Sequence, residues 1–498
     1  MGDILETRKE KLISFFKNRA YIFILLIVLI VAVYGYSIRI RNLDLLNGYL
    51  ADPDAHAFLR YAKYIIEHGS MPEIDTLRYY PLGFHPKSEF GFLSYFIAYL
   101  YKFLHLFNKS ISIEYVDLIY PAIAFIFAAI LFFLLVKRLF DYRVALLATI
   151  CLTIVPAFLF RTMSGVSDKE ALAMPLMFLS LYLFVAAWQS KKFINSTILG
   201  LFSGIATGFT ALTWGGVIYA LVAIGGFAFL ESLLNKFEKR DFYVYSLWTA
   251  STILIMLTLG KERFHVSTIF SSLTTGIVFL SFLYALINLL IININIFKFR
   301  DKLEKISIPI TFSTLIVTIF VIILVTSIVF SPFLIIGVIT GAVEHLFNPQ
   351  QNNRWSLTVA ENHQVYVSNW FGDFSALFIW LVIIASIWLF FDMVKNVTKY
   401  KWKLTFAYTI FVLGFVFSRF SPSSRLNGDN SLSRFVLSAS ILIFLVYIAY
   451  LYFRSYYKDK ETYEQLRNID KKYSLIFLWF LLGIVGAKTK LFICIFSI

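Results

Sequence analysis

Charge is scarce in this chain of 498 residues, in which only 15% of the residues are Asp, Glu, Lys or Arg. Soluble globular domains carry about 25% charged residues, and here 59% of the residues are hydrophobic instead. Apolar runs of roughly 18 residues or more, the length that a transmembrane helix needs, recur along the sequence. The composition therefore predicts a polytopic membrane protein and argues against a soluble enzyme.

Cysteine is almost absent, and both Cys151 and Cys494 lie in apolar runs, so there is no basis for a disulfide framework or a cysteine metal centre. The net charge of +15 is compatible with nucleic acid binding. Most Lys and Arg residues, however, lie in short segments between hydrophobic runs, which is the pattern that orients membrane proteins. We therefore expect the membrane, and no nucleic acid, as a partner.

The basic segments predict the topology. Residues 1–19 are basic and precede the run 21–38, which lacks a small-residue cleavage site, so we expect a retained anchor and a cytoplasmic N-terminus. We expect about thirteen spans in all, with 21–38 as the first and with 404–417 and 474–485 as the weakest. Threading these runs through a cell membrane places five basic loops on the cytoplasmic side, namely 137–143, 189–192, 236–240, 298–305 and 395–403.

Two long segments, 39–114 and 331–374, are predicted on the outer face. Within the first, residues 90–107 are apolar, but Lys102 and His105 interrupt them. A span there would invert every later loop, so we expect an interfacial helix.

The first external segment carries Asp52 and Asp54 around a proline, followed by helical periodicity over 55–68. This pattern places four apolar residues on one helix face: Phe58, Tyr61, Ala62 and Ile65. Asp54 then lies near a helix N-terminus, where it is either a helix cap or a functional carboxylate. Further on, the stretch 78–83 and His85 are compatible with phosphate binding or with a solvated loop bearing interfacial aromatic residues.

A second acidic stretch, FLFRTMSGVSDKE, occupies 158–170 between two apolar runs. It contains Arg161, Asp168 and Glu170, and charged residues beside hydrocarbon are usually paired, metal-bound or in a hydrated site. The i, i+2 spacing of Asp168 and Glu170 allows both carboxylates to reach one hard cation if the segment is extended or turning.

Glu361 and His363 lie in the second external segment, and Trp214 follows the fifth predicted span. Taken singly, Glu361 is an ordinary loop glutamate and Trp214 an interfacial aromatic residue. The topology nevertheless places four carboxylates near one membrane boundary, and such carboxylates could bind Mg²⁺ or Mn²⁺ beside a phosphate leaving group. These four are Asp54, Asp168, Glu170 and Glu361.

Four motifs then carry a family resemblance. DPDAHAFLR at 52–60 and PAFLFRTMSGVSDKE at 156–170 resemble the two acidic motifs of the catalytic subunit of oligosaccharyltransferase, of the archaeal AglB type. TWGG at 213–216 is similar to the family's Trp-Gly-Gly segment. TVAENHQ at 358–364 resembles its third motif, and the order and spacing of all four agree.

The resemblance implies an all-α polytopic membrane protein of GT-C type architecture. It also implies transfer of an oligosaccharide from a dolichyl phosphate or diphosphate donor to the Asn of an Asn-x-Ser/Thr acceptor polypeptide on the external face, and it is compatible with a single-subunit enzyme. Mn²⁺ or Mg²⁺ would be held by Asp54, Asp168 and Glu170. Asp54 and Glu361 would act as the catalytic carboxylates beside the acceptor amide.

Four further residues in or near these motifs are candidates for substrate binding: Arg161, His85, Trp214 and His363.

The C-terminal sequence departs from the family pattern. The chain ends GAKTKLFICIFSI, without the family's membrane arginine, its Trp-Trp-Asp-Tyr-Gly motif or the soluble domain that contains it. We therefore expect residues 1–498 to form a transmembrane domain that lacks the C-terminal soluble domain, with weak transfer activity or none.

Three other functions stay open at this stage: another polyprenyl-phosphate-sugar-dependent glycosyltransferase, a lipid-linked sugar flippase or transporter, and a non-catalytic remnant that binds the lipid donor. Transporters usually show internal repeats and interrupted helices at the membrane midplane, and neither feature is evident here. The third motif and the TWGG segment argue against the related glycosyltransferases.

Overall fold

The computed structural model describes residues 20–305, 308–331, 333–347 and 365–489. Regular structure in these ranges is helical, and pairing between extended segments is limited to two isolated bridges, Asp75 with Phe84 and Arg419 with Asn427.

The first nine helices and the loops between them contain the first two predicted acidic motifs. They are α1 Ala20–Arg39, α2 Leu43–Leu46, α3 Pro53–His68, α4 Phe92–Phe107, α5 Ile113–Leu139, α6 Tyr142–Ile154, α7 Pro156–Arg161, α8 Lys169–Gln189 and α9 Phe193–Thr213. Short 3₁₀ turns occur at Pro86–Ser88 and Gly215–Val217.

Thirteen helices follow in the described ranges. They are α10 Ile218–Leu233, α11 Lys239–Leu259, α12 Val266–Ser271, α13 Leu273–Asn288, α14 Phe299–Leu303, α15 Ile310–Val329, α16 Leu334–Phe347, α17 Val367–Phe374, α18 Ala376–Val394, α19 Lys401–Phe417, α20 Ser431–Lys458, α21 Lys460–Arg467 and α22 Lys471–Thr489. A π-helical turn, Leu289–Asn293, and a 3₁₀ turn, Ile296–Lys298, follow α13.

The protein is an all-helical polytopic membrane protein. Among the described residues, ten helices are long and apolar enough to cross a membrane, against the thirteen spans that the sequence predicts. The remaining three predicted runs coincide with shorter or less apolar helices. The run 144–159 is divided into α6 and α7 because Pro156, which begins α7, has no amide hydrogen to continue the first helix.

Both helices predicted within residues 39–114 are present, whereas the external side of this segment and the interfacial position of its second helix stay predictions. Helix α3 buries the predicted face of Phe58, Tyr61, Ala62 and Ile65, together with Ala55 and Leu59. The apolar stretch near 90–107 forms α4, which buries Leu93, Ile97 and Ala98 in the same hydrophobic cluster as α3.

The chain forms two compact units. One unit contains the described residues of Met1–Val217 and Ala250–Phe264, and the other those of Ile218–Thr249 and His265–Ile498. In the first unit α8 packs against α5 and α9, and α1 packs against α5 and α6. In the second, α10 packs against α13 and α22, and α19 packs against α18 and α20. Both described acidic motifs belong to the first unit.

Candidate active site

Asp54 is placed by the first turn of α3. Asp52 is the N-cap, and its Oδ1 accepts a 2.9 Å hydrogen bond from the backbone N–H of Asp54. Pro53 occupies the first helical position, where its missing N–H costs nothing. Asp52 therefore does the capping, and the side chain of Asp54 is left at the helix N-terminus for another role.

The second acidic motif begins as a loop that is hydrogen-bonded to residues shortly before the first acidic motif. The backbone N–H of Ala51 donates to the carbonyl oxygen of Gly165 at 2.9 Å, and Asn42 Nδ2 donates to the carbonyl oxygen of Ser164 at 2.8 Å. Gly165 has φ +86°, and a Cβ there would lie 2.5 Å from Leu46 Cδ1, so only glycine fits without rearrangement.

Helix α5 is also hydrogen-bonded to this loop. The backbone N–H of Gly165 donates to the carbonyl oxygen of Leu118 at 2.9 Å. The Ser167 hydroxyl donates to Asp117, and the Tyr120 hydroxyl donates to the backbone carbonyl of Asp168. Three residues of one helix thus position the backbone that leads into Asp168.

Asp168 caps α8, and Glu170 lies in its first turn. Asp168 Oδ1 accepts a 2.7 Å hydrogen bond from the backbone N–H of Lys169, and Oδ2 lies 3.4 Å from Arg161 Nη1. Both acidic residues are buried, and Glu170 Oε2 has no hydrogen-bond partner among the described residues. A buried carboxylate oxygen without a partner is costly, and a bound cation would relieve that cost.

Electrostatic coupling links the two acidic motifs. Partial burial of the carboxyl raises the pKa of Asp54, the Lys169 ammonium opposes that rise, and the negative charge of Asp168 adds to it. Such coupling requires that Asp54, Lys169 and Asp168 lie near one another. The three carboxylates are nevertheless not assembled as a cation cage, because within the described ranges no three His, Cys, Asp or Glu side chains are placed to hold a metal ion.

The candidate substrate-binding residues occupy different surroundings. Arg161 pairs with Asp168, whereas His85 is exposed, with its Nδ1 3.1 Å from the carbonyl oxygen of Glu73. Trp214 follows α9 and is buried, and a Cβ at Gly216 would overlap its ring. The Trp-Gly-Gly segment therefore needs a glycine at 216 to accommodate the indole.

Glu361 and His363 lie outside the residues that the structure describes, and so does the whole TVAENHQ motif. Their predicted proximity to Asp54 stays a prediction.

Sequence reasoning missed Asp117, Tyr120 and Arg39 as supports of the site. A detectable signal existed for Asp117, since an acidic residue inside an apolar span is unusual and often functional. Arg39, at the end of α1, is completely buried; its Nε donates to Thr162 Oγ1 at 2.6 Å, and its guanidinium lies 3.4 Å from the centre of the Phe125 ring. Thr162 and Phe125 come from two other segments of the chain, so the sequence alone does not reveal these contacts.

Solved structures share this fold. The apo oligosaccharyltransferase of Archaeoglobus fulgidus aligns with a TM-score of 0.61 at 19% identity, over 97% of this chain and 57% of that chain. AglB from the same organism, in complex with an inhibitory peptide and a dolichol-phosphate, aligns with a TM-score of 0.57 at 18% identity, over 94% of this chain and 51% of that chain.

Sequence comparison identifies curated relatives and a family. The dolichyl-phosphooligosaccharide-protein glycotransferase 1 of Pyrococcus furiosus is 28% identical over 277 residues, which make up 51% of this chain and 27% of that protein. This chain therefore matches only part of the length of its relatives. The model of the family "Oligosaccharyl transferase STT3, N-terminal" matches residues 21–348. Because this match covers most of the chain, the protein belongs to the STT3 oligosaccharyltransferase family.

Proposed function

We propose that this chain contributes the catalytic membrane part of an N-glycosylating oligosaccharyltransferase. In this function, an oligosaccharide passes from a dolichyl phosphate or diphosphate to the side-chain amide of Asn in an Asn-x-Ser/Thr acceptor. The names of the Pyrococcus relative and of the Archaeoglobus complex, which contains a peptide and a dolichol-phosphate, support both substrate classes. The 2.9 Å hydrogen bond from Ala51 to Gly165, which joins the two acidic motifs, is the observation that carries the proposal.

Asp54, Asp168 and Glu170 would hold a divalent cation. All three offer hard oxygen ligands of the kind that Mn²⁺ and Mg²⁺ prefer, and the partnerless Glu170 Oε2 fits a ligand role. When bound, the cation would neutralise negative charge on the departing phosphate. Arg161, 3.4 Å from Asp168, would hold that carboxylate in orientation.

The acceptor amide is a weak nucleophile, and carboxylates that accept its N–H bonds would raise its reactivity. Asp54, at the start of α3, is proposed for this task together with Glu361. The amide nitrogen attacks the anomeric carbon, the bond from that carbon to the phosphate oxygen breaks, and the amide proton passes to a carboxylate. Trp214, His85 and His363 remain proposed contacts of donor or acceptor.

The site is proposed to face the outside of the cell, with a cytoplasmic N-terminus and about thirteen spans. The short helices α6 and α7 and the helices α19 and α22 would then complete the ten longer spans.

A metal-binding experiment on the full chain tests the proposal. Depletion of the free Mn²⁺ electron paramagnetic resonance signal reports binding directly, without turnover. We expect Asp54→Ala, Asp168→Ala and Glu170→Ala each to weaken binding roughly tenfold or more, because even supporting residues of metal sites cost 10–100-fold when removed.

Glu67→Ala is the matched control, since Glu67 is an exposed acid on the same helix as Asp54 and its loss should leave Mn²⁺ binding unchanged. Equal Mn²⁺ affinity in all four variants would refute the metal assignment. A parallel assay with dolichyl-linked oligosaccharide and an Asn-x-Thr peptide reports the transfer itself, and glycosylation that persists in Asp168→Ala would contradict the proposed chemistry.

A further inference from the structure

The Phe90 ring collects residues from separate parts of the first unit. The Arg263 guanidinium carbon lies 3.6 Å from the ring centre, and Lys169 Nζ lies 5.8 Å from it. A Cβ at Gly215 would lie 3.4 Å from Phe90 Cζ, so the Trp-Gly-Gly segment packs on the same ring. One aromatic side chain therefore brings two cations into one neighbourhood.

This neighbourhood adjoins the acidic motifs. Lys169 Nζ is 4.0 Å from Asp168 Oδ1, and its charge acts on Asp54. The Glu89 carboxylate acts electrostatically on both Asp54 and Arg263. Lys169 therefore lies beside the proposed metal ligand Asp168, and Arg263 is linked to the same neighbourhood through Phe90 and Glu89.

Arg263 retains unused binding capacity. Its Nη1 donates to the carbonyl oxygen of Ser88 at 3.3 Å, and among the described residues it has no ion-pair partner within 4.0 Å. A guanidinium has five N–H donors in a planar fork that suits phosphate and carboxylate. Its cation–π contact with Phe90 restricts the side chain and reduces the entropy lost on binding an anion.

We propose that Lys169 and Arg263, which both lie near the Phe90 ring, form an anion-binding subsite. This subsite selects lipid-linked donors that carry a second negative group in addition to the phosphate that joins the sugar to the lipid. This inference rests on the proposed function and adds a determinant of donor specificity to it. Two donor chemistries supply such a group: the second phosphate of a diphosphate carrier and the carboxylate of a uronic acid sugar. Both groups are anions that form charge-assisted hydrogen bonds with a guanidinium or an ammonium.

Donor binding by the purified full chain, in detergent with saturating Mn²⁺, tests the subsite. Three probes are compared: glucose on dolichyl phosphate, glucose on dolichyl diphosphate, and glucuronic acid on dolichyl phosphate. Wild type should bind at least one of the doubly charged probes more tightly than the neutral-sugar monophosphate. The probe that binds more tightly identifies the chemical source of the second negative charge.

Arg263→Gln and Lys169→Gln should each weaken binding of the preferred donor roughly tenfold, as expected for loss of a hydrogen bond to a charged group. Binding of the neutral-sugar monophosphate should stay unchanged. Arg143→Gln is the matched control, because Arg143 is exposed and also lies near an aromatic ring, 5.7 Å from the centre of Tyr142. The Mn²⁺ affinity of each variant is measured alongside, since it should not fall in any of them.

The possible failures are distinguishable. If wild type binds no lipid-linked donor, the proposed function and the subsite are both overturned. If wild type binds all three probes equally, or if the variants weaken all probes by the same factor, the subsite is overturned while the proposed function stands. The subsite would also be overturned if a fall in Mn²⁺ affinity accounts for the loss of donor binding. Lys169 and Arg263 would then only support the metal site.

Discussion

The backbone N–H of Ala51 donates a 2.9 Å hydrogen bond to the carbonyl oxygen of Gly165. Ala51 directly precedes the Asp52–Asp54 turn, and Gly165 lies three residues before Asp168. This bond joins two segments that are distant in sequence, each just upstream of a proposed metal ligand. The relative placement of Asp54 and Asp168 therefore depends on main-chain geometry as well as on the acidic side chains.

Gly165→Ala tests this dependence. We expect it to destabilise the protein by more than about 1 kcal/mol, because alanine is strained at positive φ and its Cβ would also meet Leu46. Mn²⁺ affinity should fall as well, since the loop leads into Asp168. Thermal unfolding in detergent and Mn²⁺ titration measure the two effects.

Gly48→Ala is the matched control for Gly165→Ala. Gly48 has φ +84°, but nothing lies within 4 Å of its added Cβ, so it reports backbone strain alone. Equal losses of stability and metal affinity in the two variants would contradict a specific role for the Gly165 loop.

Tyr120→Phe removes the hydroxyl that donates to the backbone carbonyl of Asp168. A hydrogen bond of this kind stabilises a protein by about 0.5–1.5 kcal/mol, and we expect a loss of unfolding free energy in that range. Because the bonded carbonyl belongs to a proposed metal ligand, Mn²⁺ affinity should decrease too. Tyr115→Phe, at an exposed position on the same helix, is the control and should change neither the unfolding free energy nor the Mn²⁺ affinity. Wild-type Mn²⁺ affinity in Tyr120→Phe would show that the hydrogen bond is purely structural.

Asp54→Asn should raise thermal stability near pH 7 in the absence of metal. Partial burial and the charge of Asp168 raise the pKa of Asp54 in the folded protein, against the opposing charge of Lys169, so ionised Asp54 disfavours folding. The stabilisation that protonated Asp54 provides is complete below its unfolded pKa of about 3.9 and is lost as pH rises through the higher folded value. The advantage of Asn should therefore shrink as pH falls and vanish below about pH 4.

Saturating Mn²⁺ should make wild type more stable than Asp54→Asn at pH 7. A ligand that binds only the folded state stabilises it by mass action, and wild type is expected to bind the ion more tightly. Melting curves of both proteins from pH 4 to pH 8, with and without Mn²⁺, measure these differences. An Asn variant that is less stable than wild type without metal at pH 7 would contradict the assigned electrostatics.

The proposed orientation is tested by single cysteines in a chain whose Cys151 and Cys494 are replaced by serine. Ser88 and Ser110 are exposed and precede α5, whereas the exposed Lys191 follows α8. Cysteines at 88 and 110 should react with a membrane-impermeant maleimide on intact cells, and a cysteine at 191 should react only after permeabilisation. Reaction of all three on intact cells would contradict the topology.

A cysteine at Thr358 extends this experiment to the third motif. We expect it to label from outside, because the proposed role of Glu361 requires the same membrane face as Asp54. Labelling at 358 only after permeabilisation would exclude Glu361 from the site while leaving the metal assignment intact.

The amino-acid sequence by itself determined the class of protein and much of its local structure. Long apolar runs must become helices in a membrane because only helices and closed barrels satisfy their backbone hydrogen bonds there, and periodicity placed the buried face of α3 correctly. The sequence also singled out Asp54, Asp168 and Glu170, because charge beside hydrocarbon is expensive and therefore informative.

Only the tertiary structure decided how those carboxylates are supported. Asp117, Tyr120 and Arg39 act on the second motif through bonds to Ser167, Asp168 and Thr162, and Phe90 brings Lys169 near Arg263. Such contacts join residues that no periodicity or local spacing relates, since they depend on which helices pack together. The break between α6 and α7 at Pro156 could have been predicted from the proline. The continuous apolar run 144–159 instead predicts one span, because hydropathy measures the cost of exposure to water and not the continuity of a helix.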